Sequence, residues 1–364
     1  MTEETQSKTL HLRDVMVVTP SLHWHYSGAT ATIVALGRLM RAKLRLACVG
    51  PLLPPDLPKT PLWRLVLEGW SRPPQGEFRV WHARRNNDMI VGLLLKHVLR
   101  QKWKLIFTWA GQRRRKKSSL WMQQKMDAVI VTSEGADPYI NVPYTVIHHG
   151  VDLGHFKPLP DRDEEWRRSG LPGKFGLGAF GRLRALKGTD LLVEAALRLF
   201  PSYPDATLLI IGRTTPAYAQ FVAGLKARVA AAGLAERIIF MDEVSRDRIA
   251  YYFGLVNLYV APMRYEGFGL TPLEAMACGA AVVATRTGAA AQLVADGETG
   301  VVVPPDDLDA LTKAIESFLA DPGKARSMGA KGHEKALAQH GLEAEAAAIQ
   351  AVYESVLGFP LAQP

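Results

Sequence analysis

The chain has 364 residues, 48% hydrophobic and 22% charged, with two cysteines and a formal net charge of +9. This is about twice the usual domain length with ordinary globular chemistry, which excludes a disordered, fibrous or disulfide-stapled chain and predicts two domains. No run of eighteen apolar residues occurs, so no membrane-spanning helix is expected.

The polar start, MTEETQSKTLHLRD, carries no signal-peptide core. The first strand signal, DVMVVTP, runs into SLHWHYSGATATIVALGRLM, where Ser27 and Gly28 precede an apolar-periodic helix beginning near Thr30. A glycine there lets backbone amides approach a phosphate; an ordinary N-terminal turn is the alternative. Further strand signals follow at LRLACVG, EFRVWHA, WKLIFTWA, AVIVTS and YTVIHHGV. Cys48 and Cys278 both stand in apolar stretches, which predicts buried thiols in a reducing compartment and hence a cytoplasmic protein.

Two segments of this first half invite an anionic partner. WHARRNND follows a strand and precedes MIVGLLLKHVL. Arg84 and Arg85 can pair bidentately with a carboxylate or phosphate, and Asn86 and Asn87 with sugar hydroxyls. The alternative is a solvated, helix-initiating loop with Asn87 or Asp88 as its cap. GQRRRKKSSLW holds five consecutive basic residues, Arg113 to Lys117, and TPLWRLVLEGWSR supplies Trp63 and Trp70. Together they suit the surface of an anionic membrane, against the plainer reading of a solvated charged face. The charge balance agrees: residues 1–150 carry 22 basic against 10 acidic side chains, the remainder 22 against 25. No RNA-binding or helix-turn-helix signature accompanies the patch, so nucleic acid is not expected.

After the polar segment FKPLPDRDEEWRRSGLPGK a second series begins: FGLGAFG, TLLIIG, RIIFMD, NLYVAP, AAVVAT and TGVVVPP. Nearly continuous apolar strands alternating with amphipathic helices, such as DLLVEAALRLF, predict parallel sheets covered on both faces. The fold class is therefore α/β with two doubly wound domains, 1–158 and 159–344. Residues 345–364, with LEAEAAAIQAVYESVLG at their start, form a last helix expected to pack back towards the first domain. Ligands of such sheets sit beyond the carboxyl ends of strands, and two domains facing one another would share one cleft.

The motifs lie at those strand ends. After GLGAFG comes RLRALKGTDLLVEA, which puts Arg182 and Lys187 in a strand-to-helix loop ahead of Gly188 and Thr189. Cations beside a helix N-terminus offer a diphosphate both charge and backbone donors; a solvated basic loop is the alternative. No Walker A loop is present. After NLYVAP comes RYEGFGLTPLEAMACGAAVVAT. Gly267 and Gly269 make a tight loop, Pro272 suits a first helical turn, and Glu274 is expected within that turn, its carboxylate turned to a ribose diol. Glu266 is expected to reach beyond the phosphates. The plainer reading has Glu274 offsetting the helix dipole and Glu266 on the surface. Asp306 and Asp307 precede DLDALTKAI, where capping accounts for them better than metal binding.

These motifs, with IIG at 210–212, HHGVDLGHF and GETGVVVPPDDLDAL, resemble the retaining family-four glycosyltransferases with the GT-B fold. The likeness runs from about Asp127 to the chain end. FRVWHARRNNDMIVGLLLK and GRLRALKGTDL are similar to the lipopolysaccharide core mannosyltransferases within that family. The resemblance implies a retaining hexosyltransferase that moves mannose from GDP-mannose to a lipopolysaccharide core or lipid-linked acidic acceptor, without a metal or other cofactor. It implies that Arg182 and Lys187 bind the donor diphosphate, Glu274 the ribose, and Glu266 with Gly267, Phe268, Gly269 and Leu270 the donor sugar. Gly28 matches the glycine loop that closes over the phosphates, and Val244 the position whose backbone meets the base. The glycine usual two residues earlier is Asp242 here. The histidine many relatives carry after the fourth strand is missing from Thr108-Trp109-Ala110, which makes His82 a candidate for that role and for acceptor contact. Such an enzyme would lie on the cytoplasmic face of the inner membrane. A UDP-hexose donor and a non-catalytic nucleotide-sugar-binding protein are the competing readings.

Overall fold

The computed structural model describes residues 9–24, 28–111, 116–135 and 140–362. Ser27 and Arg113 to Arg115 fall outside them. The chain divides into one unit of Met1–Gly150 with Leu342–Pro364 and a second of Val151–Gly341.

The first unit is built on a six-stranded sheet: β1 Val17–Pro20, β2 Leu46–Val49, β3 Arg79–Ala83, β4 Trp103–Trp109, β5 Ala128–Val131 and β6 Thr145–Val146. Its order is β2-β1-β3-β4-β5-β6, and all pairs are parallel, with Val17 opposite Leu46 and Arg79 opposite Trp103. Strands β1 to β5 are buried on both faces, which explains their lack of polar alternation, while β6 is the exposed edge. One face is covered by the helices Gly28–Met40 and Leu342–Leu357, which bring Ile33, Leu36, Ile349 and Tyr353 onto Val17, Val80 and Ile106. The other face packs Trp81 edge-on to Trp103, with Met89, Leu95 and Met122 around them.

The helix Leu342–Leu357 is tied to this unit by polar contacts as well. His149 Nδ1 lies 2.8 Å from Glu345 Oε1, and the Gly150 N–H donates to Glu345 Oε2 at 2.8 Å. All these atoms are buried, so each satisfies a group that would otherwise be costly to desolvate.

The second unit repeats the plan. Its strands are β7 Phe175–Phe180, β8 Ala206–Ile211, β9 Ile238–Met241, β10 Leu258–Ala261, β11 Ala281–Thr285 and β12 Gly300–Val303, in the order β12-β11-β10-β7-β8-β9, all parallel. Strand order reverses between β1 and β3 in the first sheet and between β10 and β7 in the second. Loops leaving the carboxyl ends of such neighbours diverge to opposite faces and open a crevice, where ligands bind in open α/β sheets. The motifs after β3, β7 and β10 all stand at these two reversals. Among the described residues no helix is long and apolar enough to cross a membrane, and Cys48 and Cys278 are free, buried thiols.

Candidate active site

Gly188 shows how close the loops after β7 and β10 come. It takes a left-handed conformation, φ +68°, at the start of the helix Thr189–Leu199, and a Cβ there would stand 1.8 Å from the Pro262 carbonyl oxygen. Only glycine admits that backbone contact. The approach brings the Lys187 ammonium onto the Glu266 carboxylate, and Glu266 Oε1 also accepts the N–H of Gly267 at 2.9 Å. Arg182 is exposed on the first of these loops, in the same concavity as Lys187, Thr189 and Met263, and hydrogen-bonds to no described residue.

Arg264 fastens the loops from beneath. Its Nη1 and Nη2 donate to the two oxygens of Asp190 at 2.7 and 2.8 Å, its Nε to Asp306 at 2.5 Å, and Nη1 also reaches the Ala185 carbonyl at 2.5 Å. The hydrogen bonds to Asp190, and then those to Asp306, push the guanidinium pKa above its ordinary value. Asp306 is thus an ion-pair partner, while Asp307 caps the helix Leu308–Leu319 by accepting the Ala310 N–H at 2.8 Å.

Gly269, φ +99°, starts the next helix, Leu270–Ala277. Pro272 is therefore its third residue and Glu274 its fifth. The expected first-turn position of Glu274 is corrected to the second turn, because the left-handed glycine begins the helix two residues before the proline. The Glu274 carboxyl is partly exposed but closely surrounded by protein, and no described donor hydrogen-bonds to it. Burial pushes its pKa up to about 7, with Arg246 pulling the other way. Glu274 and Glu266 both add to the burial that raises the pKa of the Tyr259 phenol, which donates to the Phe180 carbonyl at 3.2 Å. Glu266 through Leu270 and Glu274 gather around the reversal with Arg182 and Lys187; Val244, partly buried after β9, packs against the same core, and Asp242 is exposed.

In the first unit, Gly28 is exposed and opens its helix, and a Cβ there would meet nothing within 4 Å. Among the described residues nothing demands glycine at that position. Arg85 Nη2 donates to Thr30 Oγ1 at 2.9 Å, which links the loop after β3 to the helix after β1. Asp88 reaches back to accept the Arg84 N–H, and also the Leu22 N–H, each at 3.3 Å; burial pushes its pKa up to about 6. It serves as the reciprocal cap of the helix Asn86–Leu93, whose N-cap residue is Arg85. Arg84 keeps a buried Nε with no hydrogen-bond partner among the described residues. Asn86 donates to Ser119 Oγ at 2.7 Å, and Asn87 is exposed.

His82 requires a correction. Its ring is fully buried, with Nδ1 at 2.6 Å from the Tyr353 hydroxyl and Nε2 at 2.7 Å from Thr108 Oγ1. Burial holds its pKa well below the ordinary histidine value. With both nitrogens engaged inside the fold, it has none to offer an acceptor or a donor sugar. Arg264, Asp190 and Thr30 were missed in the sequence, while Asp88 was read there as a candidate helix cap. Arg264 opens the RYEGFG motif and Asp190 closes KGTD, so their adjacency to motif residues was the available signal.

The family model described as "Glycosyl transferases group 1" matches residues 161–335. The chain is 47% identical over 348 residues to the lipopolysaccharide core biosynthesis mannosyltransferase LpcC of Rhizobium leguminosarum bv. viciae, covering 95% of this chain and 98% of the relative. It is 43% identical over 350 residues to the lipopolysaccharide core biosynthesis mannosyltransferase LpsB of Rhizobium meliloti strain 1021, covering 95% and 99%. Anabaena Alr3699/HepE, solved in complex with UDP and glucose, superposes with a TM-score of 0.81 at 18% identity, over 93% of this chain and 99% of that one. At that identity the likeness is one of fold.

Proposed function

Because the chain belongs to the group 1 glycosyl transferases, hexosyltransferases with the GT-B fold, we propose that it transfers mannose from GDP-mannose to a lipopolysaccharide core acceptor with retention of configuration. The observation that carries this reading is the meeting of Lys187 with Glu266, beside the exposed Arg182, at the reversal between β7 and β10. Identity to two mannosyltransferases over nearly their whole length supports the sugar and the acceptor class.

The chemistry follows from charge. As the glycosidic bond breaks, the diphosphate gains negative charge, and cations fixed beforehand stabilise that state without reorganising. Arg182 and Lys187 take this role, and with two cations on the leaving group the reaction needs no divalent ion. Glu266 orients Lys187 before the donor arrives and then turns to the sugar hydroxyls, alongside the backbone of Gly267 to Leu270. Glu274, whose carboxyl has no hydrogen-bond partner among the described residues, accepts from the ribose diol. The backbone at Val244 meets the base. The acceptor hydroxyl attacks the face the diphosphate leaves, and a phosphate oxygen of the leaving diphosphate takes its proton.

Arg84 and Arg85 hold the acidic sugar of the acceptor, with Asn86 and Asn87 on its hydroxyls and His82 excluded. A lipid-linked acceptor puts the enzyme at the cytoplasmic face of an anionic membrane. A panel of nucleotide sugars tests the donor: GDP-mannose is expected to be consumed and to raise the melting temperature, since a ligand that binds only the folded state stabilises it. If it does neither, the donor assignment falls. A β-configured mannoside, seen by NMR of the anomeric proton, would overturn retention.

A further inference from the structure

In the first unit the helix Asn86–Leu93 continues without a break into the π-helical turn Leu94–Val98, closed by the Leu99 N–H on the Leu94 carbonyl at 3.0 Å. Ile90, Leu94 and Val98 follow one another at four-residue spacing and are all exposed, Val98 to 66%. Such spacing lines up side chains on one face, and a face turned to the core would be buried. The helix Lys117–Gln123 adds Trp121, 55% exposed, and Met122. Between them lies an apolar groove of about 470 Å³ lined by Ile90, Leu94, Val98, Trp121, Met122 and Lys125. A row of large apolar side chains exposed beside such a groove is the pattern of an interaction site, and π-turns are frequent at functional sites.

Two further features identify the occupant. The apolar surface continues past the groove: the exposed Trp70 donates its indole N–H to the Leu99 carbonyl at 3.0 Å, so the exposed stripe Trp63, Leu67, Trp70 adjoins Val98. The border is cationic, with Lys125 over the Trp121 ring at 5.9 Å and Lys116 and Lys117 exposed at the start of the same helix. The acidic groups nearest the rim are paired, Asp127 with Lys96 and Lys104 and Glu68 with Arg64, while Asp88 on the groove helix is buried and turned to the backbone N–H groups of Arg84 and Leu22. Aromatic side chains with basic partners, surrounding an apolar slot, match an anionic lipid that has its headgroup at the rim and its tail inside.

We propose that this groove is a lipid site which takes one acyl chain of an anionic bilayer phospholipid while Trp121, Trp70 and Trp63 seat at the headgroup level. It rests on the membrane-facing part of the proposed function and adds a defined apolar slot to it. The groove, more than the basic run that precedes helix Lys117–Gln123, then supplies the insertion energy, and the cations supply charge selectivity.

The test is co-sedimentation of the full chain with vesicles of phosphatidylcholine alone or mixed with phosphatidylglycerol, with acyl-chain-brominated lipid as a fluorescence quencher. Binding is expected to the mixed vesicles, with tryptophan quenching reduced in Trp121→Phe. Leu94→Glu with Val98→Glu should lower partitioning at least tenfold, and both side chains are exposed enough for the fold to tolerate the change. Leu337→Glu, an exposed apolar site in the second unit, should leave partitioning unchanged. The proposal is overturned if the groove variants partition like wild type, or if brominated chains quench no more than unbrominated ones. It is also overturned if the chain is a dimer without lipid and the groove variants make it monomeric, since the occupant is then a second copy. A GDP-mannose melting shift retained in the groove variants separates loss of this site from failure of the transferase reading.

Discussion

Arg264 grips Asp190 through both terminal nitrogens, at 2.7 and 2.8 Å, across 74 residues of sequence. Asp190 begins the helix that follows the Lys187 loop, and Arg264 begins the loop that carries Glu266. The pair therefore sets the spacing of the groups proposed to hold the diphosphate and the sugar. Lysine keeps the charge but cannot form the two-pronged contact. Arg264→Lys is expected to raise the donor KM and lower kcat by roughly tenfold each, since small displacements of positioned groups weaken transition-state contacts. Because Arg264 acts through the loops, the acceptor KM should stay put. A change confined to acceptor KM would sink this assignment.

Lys187 and Glu266 make opposite predictions about where the loss appears. Lys187→Ala removes a cation from the leaving group, and kcat should fall by about 10²–10³, the usual cost of one preorganised electrostatic contact. Glu266→Gln keeps the shape and frees Lys187 from its ion pair. GDP should then bind at least as tightly as in the wild type, measured by calorimetry, while turnover of GDP-mannose falls. If Glu266→Gln weakens GDP itself, Glu266 serves the nucleotide and not the sugar.

Glu274 gives a pH signature. Its pKa stands near 7 in the folded protein, raised by burial from the ordinary value of 4.5. The folded state then binds more protons than the unfolded state between those two values, so stability falls as pH rises through that window. Glu274→Gln removes the titration, and its melting temperature should exceed that of the wild type at pH 8 but match it near pH 4. Asp88, raised to about 6, keeps its own slope in both proteins and cancels in the comparison. The same variant should lose the increase in GDP affinity that the wild type gains between pH 6 and 8. An equal melting-temperature difference at both pH values would refute the role of burial.

The two-sheet architecture could be read from the sequence because each strand is a short, nearly unbroken apolar run and each motif follows one. The position of Arg182, Lys187 and Glu266 needed nothing more: loops after parallel strands leave the sheet at its carboxyl edge. What could not be read depends on which strands become neighbours. The bond from Arg264 to Asp190 exists only because β7 lies beside β10, and strand order is not encoded in any local pattern. His82 failed for the same reason. It ends an apolar strand as a ligand-binding histidine would, yet its two partners come from Thr108 on β4 and from Tyr353, 271 residues away. The start of the helix at Leu270 was hidden by a stronger local signal, Pro272, although the left-handed Gly269 decides it.

The helix Leu342–Leu357 provides the last prediction. Glu345, buried, answers both the His149 ring and the Gly150 N–H at 2.8 Å, and Tyr353 answers His82 one side of the sheet further on. Removing Glu345 takes the partner from the Gly150 N–H and one partner from the His149 ring, a loss of about 2–5 kcal/mol at about 1–3 kcal/mol for each buried hydrogen bond left unmade. Glu345→Ala is therefore expected to lower the first unit's melting temperature by roughly 10 °C, at about 2–4 °C per kcal/mol for a domain of this size. Tyr353→Phe keeps the packing and strands only one ring nitrogen, which costs about 1–3 kcal/mol. Scanning calorimetry and limited proteolysis distinguish the two. In Glu345→Ala, cleavage should concentrate at the segments flanking the helix, near 341 and 358, while the second unit remains resistant. Melting unchanged by Glu345→Ala would mean that apolar packing of Ile349 and Tyr353 alone holds the helix to its sheet.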